Sequence, residues 1–422
     1  MFKKILNNNF FDKEIVFLFV LYLSLLIGFF LNENSTGGAI NDYLNQKEIS
    51  KLFALNFKET FLNYDNFSTR HSPVLIVFLS LFEKLNLSDF IIRLIYLHLN
   101  LILPIVFFNC LKLKFENVDK KILIILVSLI FLSPTFRSLS IWPDSRILGI
   151  LFFTIGIYFF LKFEKDGKFK YSILNIFYIC LSSYLSPNFS VFSILFFIFY
   201  LRNYELFSKE IFFIIILNFT LALPALYYIF VLEINFLLKS AAINFDNKER
   251  LIFNNITNDI LITYSIIFFY ILPFLILRII KFKFYFNLKS LVPALLIFIS
   301  CIYFFDYKYE YSGGGIFFKF SNLVFQNNLI FFFVSFLSIY IINQIFLKNK
   351  INYLILILIF LNNPQYTIYH KYFDPFLLIS FFTIFSFNIN LKNIYKKFNH
   401  FYLLSYFGIF LFISYLKTLW TI

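Results

Sequence analysis

"IVFLFVLYLSLLIGFFL" occupies residues 15–31 and carries no charge over 17 consecutive positions. A helix needs about 20 apolar residues to cross the hydrocarbon of a bilayer, so this run is close to a complete span. The rest of the chain repeats the pattern. Of 422 residues, 60% are hydrophobic, 23% aromatic and only 14% charged, too few charges to cover a soluble protein of this length. No small-residue cleavage site follows the first run, so it is read as a retained span and not as a secretory signal.

Further apolar runs fall near 90–111, 122–138, 147–162, 171–186, 189–201, 211–231, 260–277, 290–305, 323–347, 351–363, 373–388 and 401–419. On a window of roughly 19 residues they predict about thirteen transmembrane helices, two of them short. The runs do not alternate in polarity as barrel strands do. The expected fold is therefore all-α and polytopic, a single transmembrane domain over 1–422 with no separate soluble domain. Pro104, Pro224, Pro273 and Pro293 lie in or beside these runs, where a membrane bundle tolerates kinks.

Charge sets the orientation. The net charge of +14 is spread over short segments between apolar runs, which argues for topology signals and against nucleic acid as a partner. With the N-terminus in the cytoplasm, the inner segments hold Lys3, Lys4, Lys13, Lys112, Lys114, Lys120, Lys121, Lys162, Lys165, Lys168 and Lys170. Arg202, Lys209, Arg278, Lys281, Lys283, Lys289, Lys348, Lys350, Lys392, Lys396 and Lys397 complete the set, more than half of the 37 basic residues. The expected localisation is a bacterial inner membrane, N-terminus cytoplasmic and C-terminus extracytoplasmic. Segments 32–93, 137–146, 232–259, 306–322 and 364–372 then share the outer side. No GxxxxGK[ST] nucleotide loop is present, so this chain is not read as a nucleotide-driven machine. Cys110, Cys180 and Cys301 stand singly in apolar runs and are read as packing residues.

The first outer loop, 32–89, holds the most unusual chemistry. "NENSTGGAINDYLNQ" (32–46) places a carboxylate, Asp42, and Tyr43 after Gly37 and Gly38, whose bare backbones allow a close approach and a turn. Tyr43, Ile49, Leu52, Phe53, Phe57 and Phe61 follow at near-helical spacing and predict a helix lying in the interface. The run 73–82 is too short to span and predicts a partly embedded helix begun by Pro73. Arg70, His71 and Arg93 stand on the same side as Asp42. One carboxylate as base and arginines as phosphate clamps suit glycosyl transfer from a lipid phosphate. The plain alternatives are a helix-capping aspartate and arginines anchored at span ends. "YEYSGGGIFFKF" (309–320) is read as a flexible re-entrant turn, with covering a headgroup as the alternative, and Asp246, Lys248, Glu249 and Arg250 as a solvated loop.

The order of these features resembles the GT-C class of polyprenyl-phosphate-sugar-dependent glycosyltransferases, including aminoarabinose transferases and protein O-mannosyltransferases. "INDY" sits where the class carries its acidic motif, and "RHSPVLIVFLSLFEKL" resembles its His-Pro-Pro-Leu helix start, with Ser72 in place of the first proline. "DFIIRLIYLHL" supplies Arg93, "SLSIWPDSRILGILFF" supplies Asp144 and Arg146, and "YTIYHKYFDPFLLI" supplies His370 and Lys371. The resemblance implies Asp42 as catalytic base, with Arg93, Arg70, His71, Arg146 and Lys371 binding the donor phosphate. It further implies Gly37, Gly38, Tyr43, Asp144 and His370 as substrate contacts. The donor is then a polyprenyl-phosphate-linked sugar drawn from among the membrane lipids, and the acceptor a lipid, glycan or protein. No cofactor is expected. Asn41-Asp42 stands where the class has an Asp-Glu pair, which leaves a divalent metal open. The competing readings are a transporter or lipid flippase, whose ionisable residues would sit at mid-membrane, and a glycan polymerase or ligase with a large late outer loop.

Overall fold

The computed structural model describes residues 13–67, 72–231, 255–282, 284–308, 313–347, 349–363 and 367–420. Arg70 and His71, the charged loop 246–250 and the first residues of the glycine-rich segment, 309–312, lie outside the described residues. The described chain is helical, with one isolated antiparallel bridge between Ile280 and Ile389. One buried apolar core runs through it from Leu21 to Phe407.

The first span is α1 (Lys13–Phe30). The chain after it then folds as α2 (Ala39–Leu55), α3 (Phe57–Leu62) and α4 (Pro73–Lys84), with Pro73 in the first turn of α4 as its fixed φ favours. A helix is present over the stretch where an interfacial one was expected, but it breaks at Asn56, whose side chain accepts from Glu59 N and starts α3. Its packed face is also less apolar than expected. Gln46 and Ser50 are buried beside Tyr43, Ile49 and Phe53, while Leu52 and Phe57 turn outward.

α5 (Asp89–Asn100) and α6 (Ile102–Lys114) join into one 26-residue span. α7 (Lys120–Phe131) and α8 (Pro134–Ile141) replace the expected single span 122–138, because Pro134 has no N–H to continue the ladder and the axes bend by 62°. Every residue of α8 is buried. α9 (Ser145–Asp166) ends at Gly167, whose φ of 65° forms the usual left-handed cap. α10 (Phe169–Leu185) packs hard on α9 at Gly149 and Gly156, where a Cβ would lie 2.8 Å from Ser186 Cβ and 2.7 Å from Ile179 Cδ1. Small residues let helices approach this closely in a membrane. The exposed backbone is then used: Ser182 Oγ donates to Gly149 O and Asn175 Nδ2 to Gly156 O.

Next come α11 (Ser193–Asn203), α12 (Lys209–Phe230), α13 (Ile256–Ile276) and α14 (Leu288–Tyr303). Pro224, Pro273 and Pro293 do lie within the last three. The expected span 323–347 is divided: α15 (Gly315–Phe325) stops at Gln326 in a left-handed conformation, and α16 (Leu329–Phe346) begins anew. α17 (Lys350–Asn362), α18 (Phe376–Thr383) and α19 (Asn399–Trp420) complete the chain.

Among the described residues, seven helices are long and apolar enough to cross a membrane, or eight with α7 and α8 as one bent span. This is an integral-membrane architecture. The remaining expected spans are shorter helices: α10 has 17 residues, α11 11, α14 16, α17 13 and α18 eight. The cysteines are unpaired, with Cys110 and Cys301 buried and Cys180 half-buried.

The bundle has two chemically different ends. At one, Lys114 donates to the carbonyls of Thr383 and Phe385, Lys165 pairs with Glu116, and Tyr395 bonds Glu14 beside Lys121. At the other, the loop after α1, the start of α5, the α8–α9 junction and residues 367–375 converge.

Candidate functional site

At that second end the loop after α1 is held before it reaches Asp42. Arg137 of α8 grips Glu33 through Nε at 2.8 and 3.0 Å and Nη2 at 2.6 Å, and its remaining donors reach Ser24. Both charged side chains are buried, so each supplies the charge the other needs. Ser35 Oγ bonds Pro134 O and Ser138 Oγ, and Thr36 N donates to Ser138 Oγ. Gly37 takes φ 83°, a left-handed turn that a bare backbone adopts without strain, and Asn34 Oδ1 accepts from Ala39 N to open α2. Asp42 lies in the first turn of α2, where a carboxylate also complements the helix dipole.

Lys371 arrives from far along the sequence. Its segment forms a short 3-10 turn, His370–Tyr372, between α17 and α18. The flanking residues are all fixed. His370 Nε2 meets Tyr270 OH at 2.9 Å, Arg146 Nη1 donates to Tyr372 O, and the Arg146 guanidinium lies 4.0 Å over the Tyr372 ring. The Asp374 carboxylate accepts from Ser133 Oγ at 2.5 Å and Thr135 N at 3.1 Å. Gly314 N donates to Ile368 O, and a Cβ on Gly313 would stand 2.5 Å from that carbonyl. The described part of the glycine-rich segment is thus a close support for the lysine-bearing strand of chain.

The result is an ion pair: Lys371 Nζ lies 2.9 Å from Asp42 Oδ2. The side chains keep 19% and 32% of their surface, so the pair is reachable from outside. Gly38 backs it; a Cβ there would come to 3.9 Å from both charged atoms. Burial pulls the Lys371 ammonium down, but the opposing charge of Asp42, with Tyr372 and Asp144, outweighs it and holds the group above its ordinary value.

The other expected site residues surround this pair in different roles. Tyr43 OH donates to Asp89 at 2.5 Å, and Lys47 pairs with the same carboxylate at 2.8 Å. Asp144 caps α9 by accepting from Arg146 N, and its carbonyl accepts from Tyr96 OH. Arg93 lies 3.5 Å over the Trp142 ring and donates to Ile141 O and Asn32 Oδ1. Arg146 is committed to Tyr372 O and Asn363 Oδ1. Stacking and carbonyl contacts thus engage both arginines, which were expected to bind the donor phosphate, in the framework around the pair. His370, expected as a substrate contact, meets Tyr270 OH through Nε2.

Several residues of the framework carried no signal in the sequence. Glu33, Arg137, Trp142, Asp89 and Asp374 find their partners only through the fold. Among the described residues, no group of three or more His, Cys, Asp or Glu side chains gathers as metal ligands do. No protein family, curated protein or solved structure matches this chain.

Proposed function

We propose that this protein is a GT-C-like glycosyltransferase that moves a sugar from a polyprenyl-phosphate donor to a hydroxyl of a lipid, glycan or protein on the extracytoplasmic face. The observation that carries the reading is the accessible Asp42–Lys371 pair, assembled from residues 329 positions apart. In this reading the five shorter helices join the longer ones in about thirteen traverses, which puts the pair and the C-terminus on the outer side.

The chemistry follows from the pair. The donor phosphate competes with Asp42 for the Lys371 ammonium and draws it away, freeing the carboxylate only when donor is bound. The acceptor hydroxyl then attacks the anomeric carbon as its proton passes to Asp42. The bond from that carbon to the phosphate oxygen breaks, and the leaving polyprenyl phosphate keeps the electron pair beside Lys371. Arg93 and Arg146 act as positioning residues for the two segments that carry the pair.

The test is transfer from labelled polyprenyl-phosphate sugars into a membrane extract by purified protein. Wild type should transfer sugar and Asp42→Asn should be slower by about 100-fold or more, the usual cost of a lost positioned base. Undiminished transfer by a folded variant removes Asp42 from this role. A wild-type protein that neither binds nor consumes any donor returns the transporter reading to first place.

A further inference from the structure

Away from the Asp42–Lys371 pair, a cavity of about 310 Å³ opens between α10, α11 and α12. Ile176, Ile179, Phe196, Phe197, Leu221 and Ala222 form much of its wall, and no charged side chain among the described residues lines it. On α10 the lining runs from Asn175 to Tyr184, about 14 Å at 1.5 Å per residue. The space is therefore a slot along the helices. At ~30 Å³ for a water-sized group, it holds on the order of ten such groups in file, one chain and not two.

The helix that closes one side of it presents an apolar outer face. α12 buries only Ile211 and Ile214 among its residues, while Phe212, Phe219 and Leu223 face outward. α12 is tied to α10 by Tyr184, whose OH donates to Leu221 O and accepts from Ala225 N. α3 reaches the slot's end on α12, with the Phe61 ring 5.7 Å from that of Tyr228.

One polar group at that end is unaccounted for. Ser72 lines the slot, keeps 2% of its surface, and has no hydrogen-bond partner for its Oγ among the described residues. It is the N-cap of α4, a position where a serine hydroxyl ordinarily accepts from the helix, yet it makes no capping bond. A buried hydroxyl left unbonded is unfavourable, so a ligand group that meets it is favoured.

We propose that this slot holds one acyl chain of a glycerolipid, with its uncharged ester–glycerol region against the Ser72 hydroxyl. With no cation among the described lining residues, the proposal leaves the lipid phosphate outside the slot. The chain fills the gap behind α12 and packs that helix onto the bundle. This inference does not rest on the transferase reading, and its test needs no catalysis.

The experiment uses the full chain in phosphatidylglycerol nanodiscs doped with phosphatidylglycerol that bears a diazirine midway along one acyl chain. Crosslinks should concentrate on residues 175–184 and 214–229. They should fall by about tenfold or more in Ala222→Phe and Ser183→Phe, which fill the slot, with Ser72→Ala reducing them less. Labelling spread evenly over the outer face of α12, or unchanged in both filled variants, overturns the proposal. Stronger slot labelling by a diazirine-bearing prenyl phosphate overturns the assignment to a glycerolipid. Should the filled variants misfold, Cys180 in the wild type reports instead, because it lines the slot. Its alkylation by N-ethylmaleimide should slow severalfold when phosphatidylglycerol is added to lipid-free detergent, and equal rates overturn the proposal.

Discussion

Asp42 and Lys371 divide the work at the residue scale, and their variants should separate. Lys371→Met removes the cation that meets the donor phosphate, so binding of a polyprenyl phosphate in a titration should weaken by about tenfold or more, since a hydrogen-bonded charge contributes roughly 1.5–3 kcal/mol. Asp42→Asn, which removes the competitor for Lys371, should keep or tighten that binding while losing transfer. The pH dependence has a definite sign. The folded-state value of Lys371 is raised, so its contribution to stability is complete below the ordinary lysine range and lost as pH rises through the higher folded value. Thermal unfolding of wild type and Lys371→Met should therefore differ by a constant amount between pH 6 and about 9, and converge only in strong alkali. Asp42 was legible as a carboxylate beside two glycines, and Lys371 as a cation at a late helix start. Their direct contact was not, because no local spacing links positions so far apart.

Elements are held at the site by the buried pair Glu33–Arg137, which joins the end of α1 to α8. Removing one partner of a buried pair leaves a charge without compensation and costs about 3–5 kcal/mol, so Arg137→Met should lower the unfolding temperature sharply. Glu33→Gln combined with Arg137→Met should be milder than Arg137→Met alone. Gly28 on α1 is part of the same joint: a Cβ there would strike Glu33 Oε2 and lie 2.9 Å from Arg137 Nη2. Gly28→Ala should thus destabilise the protein although alanine is the better helix former. Both effects are measured by thermal unfolding in detergent. This joint escaped the sequence because "NENS" and "FRSLS" read as ordinary loop and helix-end chemistry. What joins them is the bend at Pro134, which lays α8 across the end of α1. Arg93 escaped for a related reason. A cation at a span end is visible in sequence, but whether it faces a ligand or a Trp ring depends on where Trp142 is delivered.

For the whole molecule, the proposed orientation puts the lysine-rich end in the cytoplasm and the end with the ion pair outside. A reporter active only outside the cytoplasm should be active when fused after α19 and inactive when placed in the turn at 204–208. The opposite result reverses the orientation and puts the Asp42–Lys371 pair in the cytoplasm. The short helices limited what could be read at this scale. The apolar runs at 323–347 and 122–138 look like single spans by hydropathy, yet each is divided in the structure. A window average records apolarity and not the conformation of one residue, such as Gln326 or Pro134, that ends a helix.

Composition and runs of apolar residues by themselves determined that this chain is a helical bundle for a bilayer, since burial of backbone polar groups in hydrocarbon leaves helices as the solution for sequences without alternation. They also determined which loops hold unusual polar chemistry. Only the tertiary structure decided which of those polar residues meet. It sent Arg93 and Arg146 to aromatic faces and backbone carbonyls, brought Lys371 to Asp42, and left the Ser72 hydroxyl without a partner among the described residues, in an apolar slot. The reason is physical: hydropathy is summed along the chain, whereas a charge or a hydroxyl is satisfied by whichever partner the packing of distant helices places within hydrogen-bond reach.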